Sequence, residues 1–255
     1  MVEKNRIQAL RRAFRVIDAL RDLQTAGVSE LSSHLDVPKS TVHVYLQTLE
    51  EEGYLLNNDG TYRLSHRFLE IGGELRHSLN LFQGARQEVD SLSTETGEVA
   101  NLGIEENGKR VLLYTAQPPE GMFDNSPTGQ YTKMHQTALG KALLSQMSDD
   151  DIEEVLDQHG LPAATDQTIT DREALFTELD RVREKGYSIE NEERREGIKA
   201  IAVPLKHEAD SSEEPVSAVS ISGPKRRISA SNADETLVEA LRDAANVIEL
   251  RYKHY

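Results

Sequence analysis

The 255-residue sequence has no cysteine and no tryptophan, and aromatic residues make up only 5% of it. Without cysteine there is no disulfide framework, no thiol nucleophile and no Cys-containing zinc site. The eight histidines are scattered, with no His-x-x-x-His pair, so no metal is expected. A Gly-x-Ser-x-Gly elbow, a His-Glu-x-x-His pair and a phosphate-binding glycine loop are also missing, which argues against an enzyme and calls for no cofactor. Uncharged apolar runs fall far short of the roughly 18 residues that span a bilayer. Residues 1–6 lead straight into an amphipathic pattern rather than a signal-peptide core, so a soluble cytoplasmic protein is expected.

What is present is acid. Forty-four Asp and Glu against 29 Lys and Arg leave a formal charge of −15, while 37% hydrophobic residues suffice for packed cores. The length suits two modest domains. Residues 1–65 carry 8 basic and 9 acidic side chains, and the remaining 190 carry 21 and 35, so the acidity lies in the second part. A nearly neutral head on an acidic body predicts two kinds of surface. Arginine outnumbers lysine 19 to 10, and 208–214 is an acidic run, a composition read as adaptation to a salt-rich cytoplasm.

In the head, Ile7, Leu10, Phe14, Ile17 and Leu20 recur at helical spacing and predict a helix with one buried stripe. Ser29 is read as the cap of a second helix ending near Leu35, and Asp36-Val37-Pro38 as a tight turn. A third helix runs from Lys39 to about Glu52, burying Val42, Tyr45, Leu46 and Leu49. Residues 54–56 and 61–64, around Asn57-Asn58-Asp59-Gly60, read as a β-hairpin. Three helices and a hairpin make a winged helix-turn-helix over 1–65, whose third helix can project into a major groove. Its solvent face carries Lys39, Ser40, Thr41, His43, Val44, Gln47 and Thr48, suited to phosphates, base edges and a thymine methyl. Arg63 on the hairpin can reach a phosphate or the minor groove. The plainer alternative is a packing domain with a solvated third helix, or a module that binds another protein. Glu50, Glu51 and Glu52 would repel phosphate, but they close the helix away from its groove-entering end.

Residues 66–80 read as a linker helix interrupted by Gly72-Gly73, and a further helix covers 86–95. Beyond it, strands at 99–104 and 110–115 form a hairpin, and 117–131 is long enough for a covering loop. Helices follow at 137–147, 149–158 and 171–185, then strands at 187–192, 198–206 and 216–222, and a last helix from Ala233 to about Leu250. The expected class is α+β, one antiparallel sheet with flanking helices over 81–255.

Four segments, in order and spacing, resemble the IclR family of transcription regulators: Val37-Pro38-Lys39-Ser40-Thr41-Val42-His43, His135 to Leu144, Gly186 through Pro204, and Val219 to Pro224. The likeness spans nearly the whole chain and, with the composition, predicts a haloarchaeal member. It implies a winged helix-turn-helix, a linker helix and a GAF-like effector domain, assembled as homodimers or dimers of dimers on a double-stranded operator. It implies a small-molecule effector, often an organic or aromatic acid, held at Ala138, Leu139, Glu190, Ala200, Ser220 and Ser222; with the acid-rich composition, an organic or sugar acid of catabolism is expected. Helix-terminal amides suit a carboxylate, and serines at i and i+2 of a strand face one side. Ala200 stands where the family often has cysteine, Glu190 where it can have a shorter acid, and Val44 where it often has arginine. Thr137, Ala138 and Gly140 can equally serve only to cap and pack a helix. Glu192 and Glu193 are read as an acidic surface loop, and His135 as a satisfied buried histidine.

Overall fold

The computed structural model describes residues 7–118, 126–206, 216–229 and 233–252. The acidic run 208–214, Lys4, Arg6 and the middle of the 117–131 stretch lie outside the described residues. The chain separates into two compact units, Met1–Leu75 and Arg76–Tyr255.

The head consists of α1 (Gln8–Leu23), β1 (Ala26–Gly27), α2 (Val28–Leu35), α3 (Lys39–Glu51), β2 (Leu55–Asn58) and β3 (Thr61–Leu64). Its core joins Val16, Ala19 and Leu20 of α1 to Leu31, Leu35, Val42, Leu46, Leu55 and Tyr62. Each fully buried leucine there contributes about 1.5–3 kcal/mol. The expected α1 stripe is corrected in part. Leu20 is buried and Ile17 half-buried, but Ile7, Leu10 and Phe14 stay exposed, and Val16 and Ala19 take the inward positions. Two apolar stripes share this helix, and spacing alone does not say which one is covered. Ser29 is not a cap: α2 starts two residues earlier than that reading implies, at Val28 behind Gly27, with no side-chain cap. On α3 only Val42 and Leu46 are fully buried, with Tyr45 and Leu49 partly so.

β2 and β3 pair antiparallel around Asp59 and Gly60, both with positive φ (49° and 83°). That is the two-residue turn whose twist matches flanking strands, and the Asn57 side chain accepts the Gly60 N–H at 3.0 Å. β1 pairs with β3 on the other side, giving a three-stranded sheet. α4 (Arg67–His77) carries the chain out of the head and has no buried residue.

The body begins with α5 (Asn80–Thr96), β4 (Val99–Glu106) and β5 (Lys109–Ala116). Next come β6 (Tyr131–Lys133), a 3₁₀ turn at Met134–Gln136, α6 (Ala138–Leu144), α7 (Asp149–His159) and α8 (Arg172–Lys185). β7 (Ser188–Asn191), β8 (Ile198–Leu205), β9 (Ser217–Pro224), α9 (Lys225–Ile228) and α10 (Ala233–Tyr252) complete it. The expected covering stretch thus ends in a short edge strand, β6. The sheet order is β6-β5-β4-β9-β8-β7, antiparallel throughout. No helix among the described residues is long and apolar enough to cross a membrane.

The two faces of this sheet differ in size. Ala100, Leu102, Ile104, Ile201, Val203, Val219 and Ile221 form the bulky face, packed with residues of α5 and α10. The opposite face is built from small and polar residues, among them Gly103, Ala200, Ala202, Ala218, Ser220 and Ser222, and α6 lies close against it. A Cβ on Gly103 would come within 3.2 Å of the Leu139 side chain. Small residues let the helix approach, and the cavity forms where they leave room.

Candidate functional site

The exposed face of α3 owes its position to the turn before it. Asp36 adopts a left-handed conformation (φ 53°), and its N–H donates to the Ser32 carbonyl. The Val37 N–H reaches the same carbonyl at 3.1 Å, and the Ser32 hydroxyl donates to the Val37 carbonyl at 2.7 Å. Arg15 Nη2 donates to the Leu35 carbonyl at 2.9 Å, satisfying an orphaned group at the end of α2. Pro38 is the N-cap of α3, and its carbonyl accepts from Thr41 and Val42. Lys39, Ser40, His43, Val44 and Gln47 are exposed on one face, with Thr41 partly exposed. Val44 is 59% exposed, an aliphatic group turned to solvent. The Thr48 hydroxyl, by contrast, turns back to the Val44 carbonyl at 2.9 Å. Arg63 is exposed on β3 and, among the described residues, reaches only the neighbouring Leu64 carbonyl, at 3.4 Å. Glu51 ends a helix that rises roughly 18 Å from Lys39, and Glu50 leans on the wing through Asn57 Nδ2 at 3.4 Å.

The body holds a cavity of about 90 Å³ over the small-residue face of its sheet. The six positions to which the family resemblance points, Ala138, Leu139, Glu190, Ala200, Ser220 and Ser222, all line it. Strand register explains why residues so far apart in sequence meet. Val99, Ser222, Ala200 and Glu190 are cross-strand partners in one row over β4, β9, β8 and β7. Asn101, Ser220, Ala202 and Ser188 form the next row on the same face. Asn101 Nδ2 donates to Ser222 Oγ at 3.2 Å, and its Oδ1 accepts from Thr115 Oγ1 at 3.0 Å, which orients the amide.

α6 begins at this cavity and is seated by the residues around its start. Thr137 caps it, accepting the Gly140 N–H at 2.9 Å. Ser188 Oγ donates to the Ala138 carbonyl at 2.6 Å. A Cβ on Gly140 would lie 2.1 Å from the Met134 carbonyl oxygen, so only glycine permits this approach. Lys141 is buried and donates to both carboxylate oxygens of Glu193, at 2.7 and 2.9 Å, with Glu178 at 3.6 Å. Glu193 is therefore no surface acid: burial raises its pKa, opposed by Lys141. Its carbonyl accepts from Thr165 and Thr168, at 3.1 and 2.5 Å. Glu192 matches the exposed reading better; it is partly exposed and pairs with Lys225.

Glu190 is buried at the cavity wall, and its pKa is pushed up to about 7. Loss of hydration is the main cause, and the charge of Glu193 adds to it. The Arg194 N–H, which donates to its Oε1 at 3.2 Å, and the Lys141 charge oppose the shift. His135 is buried against the Pro162 carbonyl at 3.2 Å, and burial lowers its pKa. Among the described residues, no group of three or more His, Asp and Glu gathers as a metal site.

Sequence reasoning missed several cavity residues: Asn101, Arg110 and Arg194 among the polar ones, and Val99, Leu112 and Ile198 among the apolar. A signal existed for Asn101, an amide set within the apolar first half of β4. Arg110 is buried on β5 and donates to Thr132 Oγ1 at 2.8 Å; Arg194 lies on the β7–β8 loop. Neither has a local signal.

The profile described as "Bacterial transcriptional regulator IclR C-terminal" matches residues 74–250, and the IclR helix-turn-helix domain matches 9–59. The chain belongs to the IclR family. Across 98% of its length it is 31% identical to "Probable HTH-type transcriptional regulator ArcR" of Halobacterium salinarum, covering 95% of that protein. With Escherichia coli KdgR, an HTH-type transcriptional regulator, it shares 30% identity over 98% of this chain and 94% of that one. A crystal structure of an IclR homolog from Microbacterium hydrocarbonoxydans, complexed with 4-hydroxybenzoate, superimposes with a TM-score of 0.79 at 26% identity. That superposition covers 97% of this chain and all of the other. This IclR-family chain is a DNA-binding transcription regulator with a C-terminal effector-binding domain, and not an enzyme.

Proposed function

We propose that this IclR-family regulator reads its operator with Lys39, Ser40, Thr41, His43, Val44 and Gln47 of α3 and with Arg63 of the wing. The observation that carries the reading is the unobstructed exposure of one α3 face behind a rigid turn. Lys39 and Arg63 contact phosphate, the hydroxyl and amide groups read base edges, and Val44 packs on a thymine methyl. The cytoplasmic protein acts as a homodimer or dimer of dimers on double-stranded DNA, with half-sites spaced by about one helical turn, ~34 Å. The exposed Ile7 before α1, Leu10 and Phe14 on it, and Leu69 and Leu75 of α4 support a second copy packing on the head.

The effector is an organic or sugar acid held by Ala138, Leu139, Glu190, Ala200, Ser220 and Ser222. The convergence of these six on one polar cavity supports that reading. Its catabolism is what the protein regulates. Control arises because the effector binds one arrangement of the dimer more tightly than another.

Genomic footprinting with the purified protein tests the DNA reading. Wild type protects sequence-defined sites, and the Ser40→Ala/Thr41→Ala double variant loses them while its circular dichroism is unchanged. Sites retained by the double variant would refute the assignment. A protein-interaction module would leave no sequence-defined sites at all.

A further inference from the structure

The polar lining of the cavity contains an arginine with no carboxylate. Arg194 rests on the β7–β8 loop, half-buried, and its Nη2 reaches Ser126 Oγ at 3.4 Å and Gln130 Oε1 at 3.3 Å. Both contacts are long and both partners neutral. Among the described residues Arg194 forms no ion pair. Arg172, Arg181, Arg183, Arg227 and Arg251 of the same domain each meet a carboxylate, whereas the Arg194 guanidinium lines the cavity with neutral partners alone. Its backbone is nonetheless anchored, because the Arg194 N–H holds Glu190. The guanidinium therefore sits over the cavity in a place it can leave at little cost.

The floor presents the complementary chemistry. Ser222 Oγ accepts from Asn101, which frees its own proton for a guest, and Ser220 Oγ makes no hydrogen bond among the described residues. A cation at the wall and hydroxyls on the floor match a molecule bearing both a carboxylate and hydroxyl groups. A carboxylate would exchange the long neutral contacts of Arg194 for short, charge-assisted ones in a fork geometry.

We propose that Arg194 is the specificity-determining residue of this cavity: it takes the carboxylate of a hydroxylated carboxylic acid whose hydroxyl groups lie on Ser220 and Ser222. The proposal rests on the effector reading above and narrows it to one ligand class and one orientation.

Thermal shift and calorimetric titration of the full chain test it. The probes are D-gluconate, D-xylonate and 4-hydroxybenzoate, their neutral counterparts sorbitol, xylitol and 4-hydroxybenzamide, and the unhydroxylated acid butyrate. At least one hydroxy acid binds wild type, while its neutral counterpart and butyrate do not. Arg194→Gln weakens that binding about ten- to hundredfold, Arg194→Lys keeps part of it, and Ser222→Ala weakens it less. The ligand-free melting temperature of Arg194→Gln stays at the wild-type value, which separates lost binding from lost folding. Equal affinity in wild type and Arg194→Gln, with loss in Ser222→Ala, overturns the role of Arg194 and leaves the cavity as effector site. Binding of the neutral compounds or of butyrate alone overturns the ligand class in the same way. If wild type binds no probe, both the ligand class and the acid-effector reading fall.

Discussion

The two units bury different things. The head's buried set is entirely apolar apart from Tyr62, and its polar groups stay in water on α3 and the wing. The body buries Lys141, Glu193, Glu190, Asn101, Arg110 and Ser220, and gathers most of them at or behind one cavity. A surface that meets duplex DNA needs charge and hydrogen-bonding groups already solvated and exposed, so its scaffold can be an ordinary hydrophobic core. A cavity that captures a small molecule holds its polar groups in a dry interior. A buried charge there needs a partner in place, as Lys141 and Glu193 have in each other, since an unpartnered one costs several kcal/mol. The head keeps recognition separate from stability, whereas the body joins them.

Substitutions that attack each unit's characteristic device bear on this contrast. The largest loss is expected for Lys141→Met, which leaves Glu193 buried without its cation and costs the body about 3–5 kcal/mol. Calorimetry should show the body's melting transition lowered and the head's untouched. Leu46→Ala, a plain cavity in the head, costs about 2–5 kcal/mol and should lower only the head's transition. A single shared transition in both variants would break the comparison.

Glu190→Gln should produce a smaller, pH-dependent effect. The Glu190 carboxyl has a folded pKa of about 7 against an ordinary 4.5. Between those values the unfolded chain releases its proton and the folded protein keeps it, so wild-type stability falls as pH rises from 4.5 to 7 and then levels. The total is at most on the order of 3 kcal/mol. Urea midpoints across that window should slope less in Glu190→Gln. Smallest is Thr137→Ala, which removes the α6 cap for about 1 kcal/mol, read as a modest fall in the body's urea midpoint.

How legible each unit was in the sequence follows from the same difference. The turn Asp36-Val37-Pro38 and the Asn-Asn-Asp-Gly hairpin are local chemistry, carried by a few contiguous residues, and both lie where sequence reasoning puts them. The α1 stripe was legible as apolar, but its covering was not, because Ile7-Leu10-Phe14 and Val16-Ala19-Leu20 satisfy the same periodicity. In the body, strands and helices could be read from their periods, while the cavity's rows depend on register between strands as far apart as β4 and β9. Six cavity positions came from family resemblance. Asn101, Arg110 and Arg194 did not, because nothing near them in the chain says which face or mouth they reach. Glu193 was misread for a related reason: its cation is 52 residues away.

The alternation along β9 has one more consequence. Ser220 and Ser222 look into the cavity, while Val219 and Ile221, the residues between them, press on the layer of α5 and α10 behind. The floor of the cavity and the seating of the rear helices are thus alternate side chains of one strand. α5 is in turn joined to α4 by only two residues, 78 and 79, so the rear layer adjoins in sequence the segment leading to the head.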